Sequence, residues 1–156
     1  MGFILDDIDL KIIELMQSNA RISNADLARE LQMAPSAVLE RVKKLEQKKV
    51  ILEYNASINP AAVNQKLLAF IFIKAKQETS SEAVIAEQIS MLPEVQEVHH
   101  IAGEDCFLVK VRTEDSASLM ALMRNSIKSI PDVISTKTTI VLETVKEKQQ
   151  LVISKK

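Results

Sequence analysis

The order of the hydrophobic patterns predicts an α+β chain with two domains. Three amphipathic helical patterns fill residues 6–49, and only a tight break separates the second from the third. From residue 66 onward, strand and helix patterns follow in the order β-α-β-β-α-β, which is the split βαβ arrangement of ferredoxin-like folds. We therefore predict a winged-helix-like helix-turn-helix domain over residues 1–49, a strand linker over 50–65 and a ferredoxin-like domain over 66–156.

The composition is typical of a soluble globular protein. Because its net charge is near zero, nucleic-acid binding would have to come from a local basic patch. The chain has 156 residues, 47% of them hydrophobic, and a formal net charge of −1. Its single cysteine, Cys106, excludes an intrachain disulfide framework. The start MGFILDD lacks a signal peptide's basic region, and no apolar run reaches the ~20 residues of a membrane span. We expect a cytoplasmic protein without membrane contact.

The first helix is expected to act as a scaffold. Asp6 or Asp7 caps it, and its pattern runs to about Asn19 with one apolar face, formed by Ile8, Ile12 and Leu15. Arg21 follows in a loop, where it could contact phosphate, although a lone loop arginine is commonly only solvated.

The next two helices have the layout of a helix-turn-helix. Ser23 and Asp26 form a capping-box arrangement at the start of the second helix, and Pro35 suits the first position of the third. The buried positions recur at helical spacing: Leu27, Ala28 and Leu31, then Val38, Val42 and Leu45. Between Glu40 and Lys49, five bases and two acids give a local charge of +3.

Small residues followed by bases on the third helix favour entry into the major groove of DNA. Small side chains let the backbone approach the bases, and flanking lysines and arginines hold phosphates. The alternative is an ordinary solvated helical hairpin with one basic face. The predicted DNA-contacting residues are Arg21, Pro35, Ser36, Ala37, Glu40, Arg41, Lys43 and Lys44.

The alternation of side chains predicts two strands, one in the linker and one directly after it. Residues Val50 to Ile58 alternate as a strand that Pro60 ends. Residues Leu67 to Ile73 are apolar on both alternating sets, so both faces of this strand should be buried. One face should meet helices of its own domain. The other favours a partner subunit, although a strand covered wholly within one chain is the alternative.

The remaining elements complete the ferredoxin-like order. Thr79 caps a helix with Glu82 three residues on, and Pro93 marks its end. Two strands, Val95 to Ile101 and Cys106 to Arg112, flank a turn at residues 103–105. A helix from about Asp115 to Ser129 and a last strand from Val133 to Val145 follow, while residues 146–156 show no clear pattern.

The sequence gives little support to an enzyme. Adjacent His99 and His100 would point to opposite faces of a strand, so they cannot form one catalytic pair. Cys106 follows Asp105, whose charge disfavours a reactive thiolate. No metal-ligand spacing and no glycine-rich phosphate loop occur. We predict no catalytic residue, no metal and no cofactor.

Nearly the whole chain, about Leu5 to Leu142, resembles the Lrp/AsnC (feast/famine) family of transcription regulators. The similarity lies in residues 5–51, in Pro93–Val95, in IAGEDCFLVKV and in PDVISTKTTIVL. It implies a DNA-binding helix-turn-helix domain and a ferredoxin-like domain that binds an amino acid. It also implies homodimers that pair through their sheets and assemble further, often into octamers.

The chain departs from the family pattern at four positions. Gln32 and Lys49 stand where the family usually has Gly, Ala34 where Ser usually caps the helix, and Cys106 where Asp is common. The resemblance implies an amino-acid effector at the turn of residues 101–106. The expected pocket residues are Ala102, Gly103, Glu104, Asp105, Thr136 and Thr138.

Two alternatives stay open at this stage. Gly103 could serve only the turn, and the two threonines could be ordinary strand residues. The whole protein could instead be an architectural DNA-wrapping protein with little sequence preference and no small-molecule effector.

Overall fold

The computed structural model describes residues 4–76, 79–104 and 106–153, without the side chains of 79–81. The chain divides into two compact units. The first comprises Met1–Ser57 together with Lys146–Lys156, and the second comprises Ile58–Val145. This division differs from the predicted domains, because the last eleven residues join the first unit instead of ending the second.

The first unit is built from three helices around a small apolar core. They are α1 (Asp7–Ser18), α2 (Asn24–Leu31) and α3 (Pro35–Gln47). Asp6 caps α1 by accepting the backbone N–H of Asp9 at 2.8 Å, and Asp9 reciprocates at 3.3 Å, which makes a complete capping box. The fully buried side chains of the core are Ile12, Leu27, Val38 and Leu45.

Two non-glycine residues adopt the left-handed conformation where these helices end. Gln32, at the C-cap of α2, has φ 54°, and Lys49, just after α3, has φ 56°. The backbone N–H of Met33 then donates to the carbonyl oxygen of Ala28 at 2.9 Å, which closes the end of α2. Both are positions where the family resemblance leads one to expect glycine.

The predicted strand from Val50 to Ile58 is not formed, and this prediction was wrong. Its residues have no regular secondary structure, and Leu52 is 77% exposed. A strand needs a neighbour for its backbone hydrogen bonds, and the sheet of the described chain contains no strand before Leu67. A short 3-10 helix, Pro60–Val63, follows the extended segment.

The second unit has the predicted ferredoxin-like order. It contains β1 (Leu67–Ala75), α4 (Thr79–Ser90), β2 (Val95–His100), β3 (Phe107–Thr113), α5 (Ser116–Leu122) and β4 (Val133–Ile140). The antiparallel sheet has the strand order β2-β3-β1-β4. The π-helical turn Met123–Ile127 continues α5. The residues that would show the expected cap of α4 lie outside the described side chains.

The two faces of the sheet differ. On one face, alternate residues of β1 and β3 form a dry core with α4 and α5; its fully buried members include Ala69, Ile71, Ile73, Val109 and Val111. The other face carries Phe70, Phe72 and Leu108, which are half-buried and lie outside that core cluster. We call this second surface the open sheet face.

The C-terminal tail is hydrogen-bonded to α1 of the first unit. The side-chain oxygen of Gln17 accepts the backbone N–H of Leu151 at 2.8 Å, and its amide nitrogen donates to the carbonyl of Leu151 at 3.1 Å. The amide of Gln150 donates to the carbonyl of Gln17 at 2.8 Å. We call these three bonds the tail clasp.

Candidate nucleic-acid interface and effector turn

One side of α3 faces solvent, opposite its buried seam. Val38, Val42 and Leu45 pack inward. Ser36, Glu40 and Lys43 follow one another at helical spacing on the outward side and are exposed. Ala34 precedes the helix without a side-chain cap, and Pro35 occupies its first turn. We call this side the outward face of α3.

The structure places most of the predicted DNA-contacting residues at the surface of the first unit. Six are exposed: Arg21, Pro35, Ser36, Glu40, Lys43 and Lys44. Ala37 and Arg41 are half-buried. Arg21 lies in the loop between α1 and α2, outside α3.

Arg41 points toward α1 instead of the outward face. Its Nη1 lies 2.8 Å from Asp6 Oδ2 and 2.7 Å from Asp9 Oδ1, and the Asp9 side chain is only 8% exposed. Hydrogen bonds to these two carboxylates raise the pKa of Arg41. The backbone N–H of Asp9, followed by Arg41, holds the pKa of Asp6 below its usual value. In this structure Arg41 therefore links α3 to α1. Its predicted contact with a base stays a prediction.

The spacing of residues along α3 already indicated that Arg41 lies close to its buried side. Arg41 stands beside Val42 in sequence and lies about 60° from the buried seam, whereas Glu40 lies about 160° from it. The partners themselves were not visible in the local pattern, since Asp6 and Asp9 are separated from Arg41 by 35 and 32 residues.

Leu39 is an outward residue that the sequence reasoning missed. It is 36% exposed, and it neighbours Ser36 and Lys43 on the outward face by i−3 and i+4 spacing. Its side chain is apolar, whereas the predicted DNA-contacting residues of α3 are small or charged. Spacing alone would have identified it.

The turn between β2 and β3 is exposed. Ala102, Gly103 and Glu104 are at the surface, and the N–H of Ile101 donates to the carbonyl of Cys106 at 2.9 Å. Gly103 has φ 152°, which side chains rarely adopt, and a Cβ there would meet nothing within 4 Å. Within this chain, backbone conformation explains the glycine, whereas crowding does not. Asp105 lies outside the described residues.

The two predicted threonines share one face of β4, which is the face toward the helices. Thr136 pairs with Ile73 and Thr138 with Ile71, and the Thr138 hydroxyl lies 3.8 Å from the Met123 sulfur. Thr136 is separated from β3 by the whole of β1, or about 10 Å at ordinary strand spacing. The chain alone therefore does not gather the threonines and the turn into one enclosed pocket.

A shallow cavity of about 390 Å³ lies at the opposite end of the β2–β3 hairpin. None of the five predicted effector residues that the structure describes lines it; its walls are Ile58, Pro60, Val63, Gln65, Pro93, Glu94, Gln96 and Arg112. The expected site and this cavity are separate features.

His99, His100 and Cys106, the residues considered for catalysis, each contact a different neighbour in the second unit. His99 contacts Glu97 at 3.0 Å opposite Leu108, whereas the ring of His100 packs against Phe107 at 5.1 Å. The buried Cys106 thiol lies 3.7 Å from the carbonyl of Ala75. Within residues 4–76, 79–104 and 106–153, no cluster of metal-ligating side chains occurs and no helix is long and apolar enough to span a membrane.

A helix-turn-helix unit joined to a ligand-binding ferredoxin-like unit defines a two-domain transcription regulator. Residues 5–46 match the AsnC-type helix-turn-helix domain, and residues 68–151 match the Lrp/AsnC ligand binding domain. The chain belongs to the Lrp/AsnC family of transcription regulators, as its sequence indicated.

Similar proteins cover almost the whole chain. The leucine-responsive regulatory protein of Haemophilus influenzae is 36% identical over 152 residues, which are 96% of this chain and 90% of that protein. The HTH-type transcriptional regulator FL11 of Pyrococcus furiosus is 37% identical over 97% of this chain and 98% of its own length. These relatives are named as regulators and not as enzymes.

Two similar solved structures contain L-methionine. The transcriptional regulator NMB0573 of Neisseria meningitidis, in complex with L-Met, has a TM-score of 0.89 and 27% identity, covering 96% of this chain and 97% of its own. The feast or famine regulatory protein Rv3291c of M. tuberculosis, complexed with L-methionine, has a TM-score of 0.88 and 30% identity, covering 97% and 100%.

Proposed function

We propose that this protein is a sequence-specific DNA-binding regulator whose DNA affinity or oligomeric state changes when an amino acid binds its C-terminal domain. The outward face of α3 is the observation that carries the first half of this proposal. It presents small, polar and basic side chains together on one exposed helix side, opposite a well-packed seam. This arrangement fits the major groove, which admits one α-helix.

The residues of the first unit have separate roles in this proposal. Pro35, Ser36 and Ala37 let the start of α3 approach the base edges. Lys43, Lys44 and Arg21 contact phosphates. Arg41 holds the helix against α1 and so sets which side of α3 meets the DNA.

The effector half of the proposal rests on the two relatives that hold L-methionine. The exposed turn at Ala102, Gly103 and Glu104, with Asp105, would supply backbone N–H groups and a carboxylate for the amino acid's two charges. Because Thr136 and Thr138 lie two strands away, a neighbouring subunit would have to complete the pocket.

The open sheet face supports the proposed homodimer. Phe70, Phe72 and Leu108 are apolar yet only half-buried, and a second sheet would remove them from water. Higher assembly, including an octamer, follows from the family resemblance and belongs to the same proposal. The cytoplasmic location expected from the composition belongs to it as well.

The direct test is binding to a duplex that the wild-type protein selects from random DNA. Fluorescence anisotropy would compare that duplex with a scrambled one of equal length at two or more salt concentrations. We expect a specificity ratio of about 10³ or more. Millimolar L-methionine is expected to shift the affinity by about 5- to 150-fold.

The same measurement distinguishes this regulator from the alternative, an architectural DNA-wrapping protein. An affinity that depends on salt but is equal for both duplexes, and that no amino acid changes, would contradict the proposal and favour DNA wrapping. A Lys43→Ala, Lys44→Ala variant provides the control for phosphate contact. It should weaken both duplexes alike and lower the salt dependence.

A further inference from the structure

The outward face of α3 contains an unpaired carboxylate. Glu40 is exposed near its centre, between Ser36 and Lys43 at helical spacing, and it makes no ion pair with any described residue. Duplex DNA carries one negative charge per ~1.7 Å of its axis, so a carboxylate facing it lowers affinity for every sequence. Such a group is useful at this position only if certain base pairs compensate for the repulsion.

We propose that Glu40 and Leu39 set the base preference of α3, an inference that rests on the proposed entry of this helix into the major groove. Glu40 accepts a hydrogen bond from the exocyclic amine of a cytosine. Leu39 packs against the 5-methyl group of a thymine in a neighbouring base pair.

The donor pattern of the major groove selects cytosine for Glu40. An ionised carboxylate only accepts hydrogen bonds, and the groove offers just two donors, the N4 amine of cytosine and the N6 amine of adenine. Adenine presents its N7 acceptor beside the amine, which repels a second carboxylate oxygen. Cytosine has no acceptor there, so it fits the carboxylate better.

The position of Leu39 selects the thymine methyl. This side chain is 36% exposed and neighbours Ser36 and Lys43 on α3, so it lies beside the residues that would enter the groove. The methyl group of thymine is the apolar group that the major groove presents. Leu39 and Glu40 are about 1.5 Å apart along the axis of α3 and about 100° apart around it, so they would face different bases that lie close together in the groove.

The test measures each contact from both sides in the duplex selected by the wild type. Each thymine is replaced in turn by uracil, which removes only the methyl group, and each C·G pair by T·A. For wild type we expect one uracil to weaken binding about fourfold and one C·G replacement about 5- to 150-fold. Leu39→Ala should lose the uracil effect and keep the cytosine effect.

Glu40→Gln should change the preference at the sensitive pair from cytosine toward adenine, because an amide both donates and accepts. Glu87→Gln, an equal change of charge at an exposed residue of α4, is the matched control and should change no base preference. Circular dichroism of each variant verifies that α3 remains folded.

Three results would overturn the inference. Glu40→Gln could tighten all duplexes equally, which would make Glu40 a repulsive charge without a base partner. Leu39→Ala could retain the wild-type response to uracil. A wild type that binds DNA without sequence preference would overturn the proposed function and this inference together, whereas the first two results leave the proposed function intact.

Discussion

At the scale of single residues, Asp6 and Asp9 bind the guanidinium of Arg41. These ion pairs fix the rotation of α3 about its own axis relative to α1. Arg41→Ala should destabilise the first unit by about 1–3 kcal/mol, because the nearly buried Asp9 carboxylate loses its partner. Urea unfolding measures this change. Lys43→Ala on the outward face is the control and should stay within about 0.5 kcal/mol of wild type.

The opposite outcome for Arg41 would be equally informative. If Arg41→Ala unfolded at the wild-type urea concentration but lost the preference for one base pair, Arg41 would be a base contact and the link to α1 would be dispensable.

Asp6 predicts how stability responds to acid. Its folded pKa is lowered from 3.8, so its contribution is complete above about pH 5 and disappears as the pH falls through the folded pKa. Asp6→Asn retains a capping oxygen but removes the charge. Urea midpoints between pH 2 and pH 6 should therefore fall less steeply with acid for Asp6→Asn than for wild type.

Asp7 supplies the control for that measurement. It is exposed on the same turn of α1 and has no ion pair with the described residues. Asp7→Asn should keep the wild-type dependence on pH. Equal slopes for Asp6→Asn and wild type would remove Asp6 as the source of the effect.

Gln32 is strained by its backbone. Its φ of 54° suits glycine, and Gln32→Gly should stabilise the first unit by up to about 1 kcal/mol, after the added freedom of the unfolded chain is subtracted. Lys43→Gly, at an exposed position inside α3, should instead destabilise by about 1 kcal/mol. Thermal unfolding of both variants checks the sign, and a destabilised Gln32→Gly protein would contradict this explanation.

At the scale of elements, hydrophobic periodicity predicted the five α-helices and the four strands of the described chain, because each buries one face within its own unit. It did not predict the 3-10 helix Pro60–Val63, which has no buried residue. The extended segment after α3 failed this rule. Its residues alternate, but the described sheet has no strand before Leu67, and the Tyr54 hydroxyl donates to Glu46 at 2.7 Å. That hydrogen bond joins burial in raising the pKa of Tyr54 to about 12.

The candidate site was predictable to the same extent. Exposure of Ser36, Glu40 and Lys43 followed from helical spacing. The partners of Arg41 did not, since a contact with α1 across 32 residues depends on how helices pack. The left-handed φ at Gln32 and Lys49 could not be predicted from these residues themselves. Glycine or asparagine at those positions would have indicated it.

The open sheet face leads to a prediction about assembly. Replacing Phe70 and Phe72 together by Glu should convert the proposed dimer to monomers, because charges would occupy the apolar contact. Light scattering at micromolar concentration measures the mass. Met91→Glu, at a residue that is 74% exposed beyond α4, is the control and should leave the mass unchanged.

A monomeric wild type in the same measurement would contradict the proposed dimer. If the double variant is insoluble, Phe72→Glu alone should be measured in its place. This single change should weaken association in proportion to the smaller apolar area that it disrupts.

At the scale of the whole molecule, the two units are connected by the chain at two places, residues 57–58 and 145–146. The tail clasp holds the second connection through three exposed hydrogen bonds, each contributing about 0.5–1.5 kcal/mol. A chain ending at Val145 should keep the three helices and bind DNA, but its first unit should unfold at a temperature lower by about 4–8 °C for each kcal/mol lost.

Gln17→Ala tests the clasp without shortening the chain, because this side chain takes part in two of the three bonds. It should reproduce most of the effect of truncation on the melting temperature. Gln47→Ala, at an exposed amide on α3, is the control. A truncated protein as stable as wild type would show that the clasp contributes nothing to folding.

The clasp also changes what the ligand domain is in topological terms. With the tail docked, residues 58–145 form an insertion within a discontinuous DNA-binding unit, and both ends of the insertion lead back into that unit. An effector that alters the separation of Ile58 and Val145 would then act on a tether anchored at both ends. Releasing the clasp would leave only the connection at residues 57–58, so one of the two routes that couple the effector to the DNA would be lost.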